Sequence, residues 1–378
     1  MFNVIITGIT SFLTDISSEM IYPLLPLYLT TQLGASPAIV GLIEGIAESL
    51  ASLLKVFSGY ISDRVQKRKG LAMLGYASST VGKFLLFLST SWVWVLGGRI
   101  VDRFGKGVRT APRDALIADS TAKERRGRAF GLHRALDTAG AVVGVGLAYY
   151  FLTTRQGDYK AVFLYSLIPA ALGVAVLSLA RETKAVKATA SERPLSFNWS
   201  ALPTRLKAFL AVVLLFTLGN SSNQFLLLRA KNLGFTPESV LLLYMAYNII
   251  YALFSYPAGR LSDRIGRKSL LVAGYIFYGL VYFGFALVRE ASYLWLLFAA
   301  YGLYIALTEG VQKALMADLA PVELRATLIG LHATFVGIGL FPASFLAGVL
   351  WDAFGAPAPF YFGGAMGLLA ALGLWLFI

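Results

Sequence analysis

Gly59-Tyr60-Ile61-Ser62-Asp63-Arg64, followed by the basic run Lys67-Arg68-Lys69, is written a second time as Gly259-Arg260-Leu261-Ser262-Asp263-Arg264, followed by Arg267-Lys268. The echo reaches upstream, where Leu33-Gly34, Pro37 and Val40 return as Leu233-Gly234, Pro237 and Val240. It reaches downstream too: Ala115-Leu116-Ile117-Ala118-Asp119 returns as Ala314-Leu315-Met316-Ala317-Asp318, and Gly131-Leu132-His133 as Gly330-Leu331-His332. Those two positions hold the only histidines of the chain. One long unit has been duplicated, and both copies are mostly apolar.

The 378 residues are 57% hydrophobic and 14% charged, more apolar surface than a water-soluble domain can hide. Many apolar stretches are long enough to cross about 30 Å of hydrocarbon as helices. Alternating ten-residue strands are absent, which argues against a membrane β-barrel. The net charge of +13 would suggest nucleic acid in a soluble protein. Here it falls in short loops between spans, so no nucleic-acid partner is expected. With no cysteine, disulfide and thiolate chemistry are ruled out. The start, Met1-Phe2-Asn3, lacks the basic region of a cleaved signal, so the first span is expected to remain.

The apolar pattern predicts helical spans over 4–31, 37–62, 70–89, 92–118, 128–153 and 159–180, then 206–231, 237–262, 269–288, 292–318, 323–351 and 357–378. The expected organisation is an N-terminal six-helix bundle (1–180), a cytoplasmic linker (181–205) and a C-terminal six-helix bundle (206–378). One alternate set of loops holds most Lys and Arg, including Arg64, Lys67–Lys69, Lys123–Arg128, the run from Arg181 to Lys207, and Arg260–Lys268. The other holds Arg155, Lys160, Arg229, Lys231 and Arg289. The richer set is expected in the cytoplasm, which puts both termini there, in the cell's inner (cytoplasmic) membrane.

At these residues the chain resembles the major facilitator superfamily, whose loop signature Gly-x-x-x-Asp-Arg-x-Gly-Arg-Lys falls between helices 2 and 3 and returns between 8 and 9. The second copy is the fuller one; Gln66 stands where the family has Gly. The resemblance covers the whole chain. It implies an all-α membrane protein of about twelve transmembrane helices in two pseudo-symmetric six-helix bundles. A cavity lined by helices 1, 4, 7 and 10 would serve alternating access. It also implies a gate role for Asp63 and Arg64, and for Asp263 and Arg264 in the second copy; Arg113 is added from its place near the cytoplasmic surface. Gly131, Gly140 and Gly144 keep the spacing of a helix-5 glycine pattern of drug–proton antiporters in the family, although Val145 replaces its proline. Close helix packing explains the same glycines.

Charge inside the spans points to chemistry. Asp15, Glu19, Glu44, Glu48, Lys83, Arg99, Asp102, Arg103, Arg134 and Asp137 all fall well within predicted helices of the first copy. Each would cost about 3 kcal/mol facing lipid at mid-membrane. Together they would exceed the ~5–15 kcal/mol that stabilises a typical fold, so they must face protein or a wet cavity. At 100° per residue Glu44, Glu48 and Lys55 share one face, as do Ser11, Asp15, Glu19 and Tyr22, and Arg99, Arg103, Lys106 and Arg113 form a cationic stripe. The acids of helix 1 are expected to face Arg99 and Arg103. The second copy is polar but nearly uncharged: Glu48 maps to Asn248, and the helix-1 acids to Gly219-Asn220-Ser221-Ser222-Asn223-Gln224. Tyr244, Tyr247, Tyr251, Tyr301 and Tyr304 offer an aromatic wall or plain packing. His133 and His332 suit packing near the gate.

The expected function is secondary active transport of a small organic molecule, by proton-coupled efflux (antiport) through alternating access. A carboxyl removed from water can take a proton on one side and release it on the other. Asp15, Glu19, Glu48 and Asp137 are the proton-coupling candidates. Arg99, Arg103, Asn220, Asn223, Gln224, Asn248, Glu309 and Gln312 are the substrate-binding candidates. The alternatives are transport of an organic anion or phosphate ester on the cationic stripe, because guanidinium forks match those oxygens, or a membrane sensor that transports nothing. No nucleotide-binding loop, metal-ligand cluster or nucleophile elbow appears, so neither an enzyme nor a cofactor is expected. The expected partners are the bilayer, protons and a small-molecule substrate, with the chain acting as a monomer.

Overall fold

Each copy opens with a helix that does not run to its end. In the computed structural model, which describes residues 2–65, 67–122, 125–182, 202–319 and 325–378, α1 (Phe2–Ile21) stops at Tyr22-Pro23-Leu24 and resumes as α2 (Leu25–Thr31). Pro23 has no N–H for the helical ladder, and its ring clashes with the preceding turn. In the second copy α8 (Thr204–Gly219) stops at Asn220-Ser221-Ser222-Asn223 and resumes as α9 (Gln224–Asn232). There the short polar side chains compete with the helix for backbone groups. Ser222 Oγ accepts from the Gln224 N–H at 3.3 Å, and Ser222 N–H donates to Ser344 Oγ at 3.2 Å. Sequence pattern ran both spans straight through; the breaks are the main correction to it.

The remaining helices follow the predicted spans. They are α3 (Pro37–Val65), α4 (Arg68–Leu88), α5 (Trp92–Asp119), α6 (Arg126–Thr154) and α7 (Tyr159–Ser178). The second copy has α10 (Pro237–Ile265), α11 (Arg267–Leu287), α12 (Leu294–Leu319), α13 (Arg325–Phe354) and α14 (Ala358–Phe377). The repeated Leu-Gly…Pro now has a physical reading. Gly34 and Gly234 take positive φ (63° and 92°) just past α2 and α9, and Pro37 and Pro237 begin α3 and α10. Asp63 and Asp263 are each third from the end of their helix, and His133 and His332 each eighth in theirs. The duplication is therefore structural. Most of the expected linker, 183–201, lies outside the described residues.

Among the described residues, ten helical spans are long and apolar enough to cross a membrane. The two that fall short on apolarity, α3 and α5, are of comparable length and pack on one another. Their charges point at each other and at the cavity, so lipid never meets them. Glycines set this arrangement. Gly75 and Gly82 of α4 lie against Gly105 and Gly98 of α5 with no room for a Cβ. The back of α5 is thus pressed onto α4, and its charged side turns to α3. The two bundles meet where α3 packs on α13, α6 on α10 and α2 on α9.

Candidate functional site

The wall made by α3 and α5 is a two-rung ladder of ion pairs. On the lower rung Arg99 Nε and Nη2 each donate to a different oxygen of Glu44 at 2.8 Å, with Glu44 fully buried and Arg99 2% exposed. One turn along both helices, Arg103 Nη2 lies 3.0 Å from Glu48. Asp102 Oδ2 adds contacts at 3.4 Å to Arg99 and 3.9 Å to Arg103. Spacing of four on two facing helices makes this matching automatic once the first rung forms. The Tyr22 ring lies 5.8 Å from both guanidinium carbons. The arginines expected to face the helix-1 acids are therefore neutralised by helix-3 acids instead.

The helix-1 acids have other partners. Asp15 lies within hydrogen-bond reach of Asp137 on α6, so two carboxyls meet across the α1–α6 contact. Asp137 also lies 3.2 Å from Arg134. Glu19 accepts a hydrogen bond from Tyr244 Oη at 2.7 Å, which ties the first bundle to the second. Beside the acid pair, Ser11 Oγ is hydrogen-bonded to His133 Nε2 (2.9 Å) and Tyr76 Oη (3.2 Å) and accepts from Arg113 Nη1 at 3.3 Å. Behind α1, Lys83 is 2% exposed and donates to Ser18 Oγ at 3.0 Å. Gly140 and Gly144 bring α6 against the Phe12 and Ile16 carbonyls of α1. These two glycines of the antiporter-like spacing have a packing role, which puts Asp137 opposite Asp15.

The facing wall comes from the second copy and is neutral apart from the Glu309–Lys313 pair. Tyr301 Oη donates to Asn223 Oδ1 at 2.6 Å, Asn223 Nδ2 to Tyr247 Oη at 3.3 Å, and Asn220 Nδ2 to Tyr304 Oη at 3.2 Å. Tyr247 and Tyr301 meet edge to face at 5.7 Å. Between the walls, among the described residues, lie adjoining chambers of about 300 and 430 Å³ that share Asn220, Asn223 and Leu340 in their linings.

The cavity is sealed at one end. There α2 packs on α9, Tyr22 meets Tyr244 at 6.0 Å, and the Ala38 N–H donates to Asp352 at 3.1 Å. Ser49 Oγ donates to the Gly337 carbonyl. Exposure rises towards the face that carries the chain ends: Glu44 is 0% exposed, whereas the side chains of Glu309 and Lys313 are 44% and 61% exposed.

The predicted site residues divide accordingly. Asp15, Glu19, Glu48, Arg103, Asn220 and Asn223 line the first chamber together. Glu309 and Gln312 line the second, where Glu309 is held by Lys313 at 2.9 Å and Tyr251 at 2.7 Å. Asp137 stands behind Asp15. Arg99 is consumed in its ion pair, Gln224 is fully buried, and Asn248 donates to the Tyr244 carbonyl at 2.8 Å; none of the three lines a chamber. Of the gate residues, Arg113 pairs with Asp114 at 2.8 Å, Asp263 lies 3.7 Å from Arg267, and Arg64 and Arg264 are exposed. The Asp63 side chain lies outside the described residues. The duplicated motif instead yields twin bridges: Arg68 to Asp119 at 2.7 Å and Arg267 to Asp318 at 2.6 Å. Lys55, Lys106 and Arg109 line the site as well; the sequence offered Lys106 only within the cationic stripe of the anion alternative, and gave Lys55 and Arg109 no substrate role. The shared face of Lys55 with Glu44 and Glu48 was the available signal.

The Major Facilitator Superfamily model matches residues 7–228 and 208–378. An uncharacterized MFS-type transporter of Methanocaldococcus jannaschii is 42% identical, over 100% of this chain and 94% of its own. The multidrug resistance protein MdtH of Photorhabdus laumondii is 26% identical, over 85% of this chain and 79% of its own. Among solved structures, that of the nucleoside transporter NupG has a TM-score of 0.84 at 14% identity and covers both chains completely.

Proposed function

The chain belongs to the major facilitator superfamily, and on that premise we propose that it is a proton-coupled secondary transporter of a small organic molecule. One observation carries the coupling: the Asp15–Asp137 carboxyl pair at the cavity edge. Two carboxyls this close can share one proton, because ionising both sets up a repulsion that the Arg134 guanidinium beside Asp137 only partly offsets. The pair spans α1 and α6, so its proton content responds to any rearrangement that moves those helices or wets the cavity. The lysine- and arginine-rich loops support placing the chain ends, and hence the cavity mouth, in the cytoplasm. The two faces then open in turn as the bundles rock about the α3–α13 and α6–α10 contacts. Substrate is handled between the charged and neutral walls, and we take the chain to act as a monomer.

Efflux by exchange with protons is the second reading. The similarity to a protein named for multidrug resistance favours it. Linkage decides the mode: a substrate that displaces the proton from Asp15 or Glu19 is exchanged for it, and one that binds better with the proton present travels with it. The test is transport in proteoliposomes under an imposed pH gradient of either sign. Accumulation driven by the gradient and lost in Asp15→Asn supports coupling. Transport that ignores both gradients sinks it.

A further inference from the structure

The ion pairs of the cavity leave a remainder. Arg99 is matched by Glu44, Arg103 by Glu48 and Lys313 by Glu309. Among the described residues Arg109 lines the first chamber without a carboxylate partner, but it is turned onto Ser79 and the Tyr76 ring. Lys55 on α3 and Lys106 on α5 also line the chambers. Among the described residues neither has a carboxylate within ion-pair distance. Lys106 feels Arg103, Arg109 and Lys55 as like charges and Glu48, Asp15 and Glu19 as opposite ones. Around Lys55 the nearest charges include Lys106, Lys313 and Arg103, with Glu48 opposing them. Water solvates a lone surface lysine at no cost. Two that line adjoining chambers of a confined, part-desolvated cavity, with no carboxylate paired to either, are stabilised by an anion bound there. A second, independent feature lies in the same chamber as Lys55: His332, 7% exposed, has a buried Nε2 without a hydrogen-bond partner. Tyr301 and Tyr304 on the opposite wall provide surface for an organic body.

We propose that Lys55 and Lys106 bind the anionic group, a carboxylate or phosphate ester, of the transported molecule. Of the stripe that the sequence offered for this task, Arg99 and Arg103 already have counter-ions, and Lys106 remains. The inference rests on the transporter reading for its biological meaning, but not on proton coupling. It also bears on the mode. A proton on Asp15 removes one opposite charge from around Lys106, so proton and anion favour each other's binding, which selects cotransport over exchange.

The experiment is calorimetric titration of the purified full chain with probes of one shape and different charge: 3-phenylpropionate, 3-phenylpropan-1-amine, 3-phenylpropanamide and, for the ester, phenyl phosphate. The carboxylate or the phosphate should bind at least about tenfold more tightly than the amide and the amine. Lys106→Gln and Lys55→Gln should each bring the anion down to the amide's affinity while leaving the amide unchanged. Lys106→Arg should keep most of the preference. The wild-type series decides even if a variant folds poorly. Affinity that ignores charge, favours the amine, survives both glutamine variants, or is undetectable for every probe up to about 10 mM overturns the proposal. Gradient-driven transport that persists beside such a result would leave the coupling reading standing.

Discussion

The two copies share a backbone plan and differ in what they place on it. The first copy lines the cavity with Glu44, Glu48, Arg99 and Arg103 in a buried ladder; the second, from other positions, lines it with Asn220, Asn223 and tyrosines in a hydrogen-bonded cluster of rings. The difference teaches what each wall is fit for. Charged groups respond to protons and to each other over several ångströms, and their geometry is costly to break. Neutral amides and phenols hold a shape with short-range contacts and tolerate the loss of one. Under the proposed function the charged wall would switch and the neutral wall would fit the substrate.

The sharpest way to break this contrast is Arg99→Ala. It strands the Glu44 carboxylate at a site with no exposure, and we expect a loss of about 3–5 kcal/mol in stability. The paired change Glu44→Leu with Arg99→Leu should be far milder, because it removes both charges together. Thermal unfolding in detergent measures both; equal damage from the single and the paired changes would mean the ladder is not the stabilising unit.

Next comes coupling. Asp15→Asn and Glu19→Gln keep shape and remove a charge, so folding should survive within about 1 kcal/mol. At least one should still bind substrate while pH-driven accumulation falls about tenfold or more. If both respond to pH gradients as the parent does, Glu48 becomes the next candidate.

The twin bridges sharpen the comparison at the gate, where the copies agree. Asp119→Asn and Asp318→Asn should each slow turnover a few-fold; Asp318→Asn should lose less than about 1 kcal/mol of stability, since exposed pairs contribute little to folding, and Asp119→Asn more, because its pair with Arg68 is largely buried. Stopped-flow transport reads the rate. An effect confined to one copy would show that the symmetry is inherited rather than used. The smallest effect belongs to the neutral wall. Tyr301→Phe removes one donor to Asn223 and should cost about 1 kcal/mol in substrate affinity, without altering pH dependence. A change in pH dependence there would erase the division of labour.

Much of this was legible in advance because membrane burial is a harsh filter. A repeated loop motif gave the duplication. Apolar length gave the spans, and the prohibition on charge in lipid gave the inward direction of ten ionisable side chains. The breaks in the first helix of each copy were written in Pro23 and in Asn220–Asn223, but a hydropathy reading averages over them. The twin bridges were also half visible, since Asp119 and Asp318 appear in the echo.

The sequence by itself determined how many helices cross, which copy is charged and which face of each helix carries the charge, because helical periodicity depends only on spacing along one chain. Only the tertiary structure decided who meets whom. Arg99 chose Glu44 over Asp15, Asp15 met Asp137, and Lys55 and Lys106 were left unmatched. Those outcomes depend on the rotation and offset between helices. Contacts such as Gly82 on Gly98 and Gly144 on Ile16 fix them, and no periodicity within a single helix carries that information.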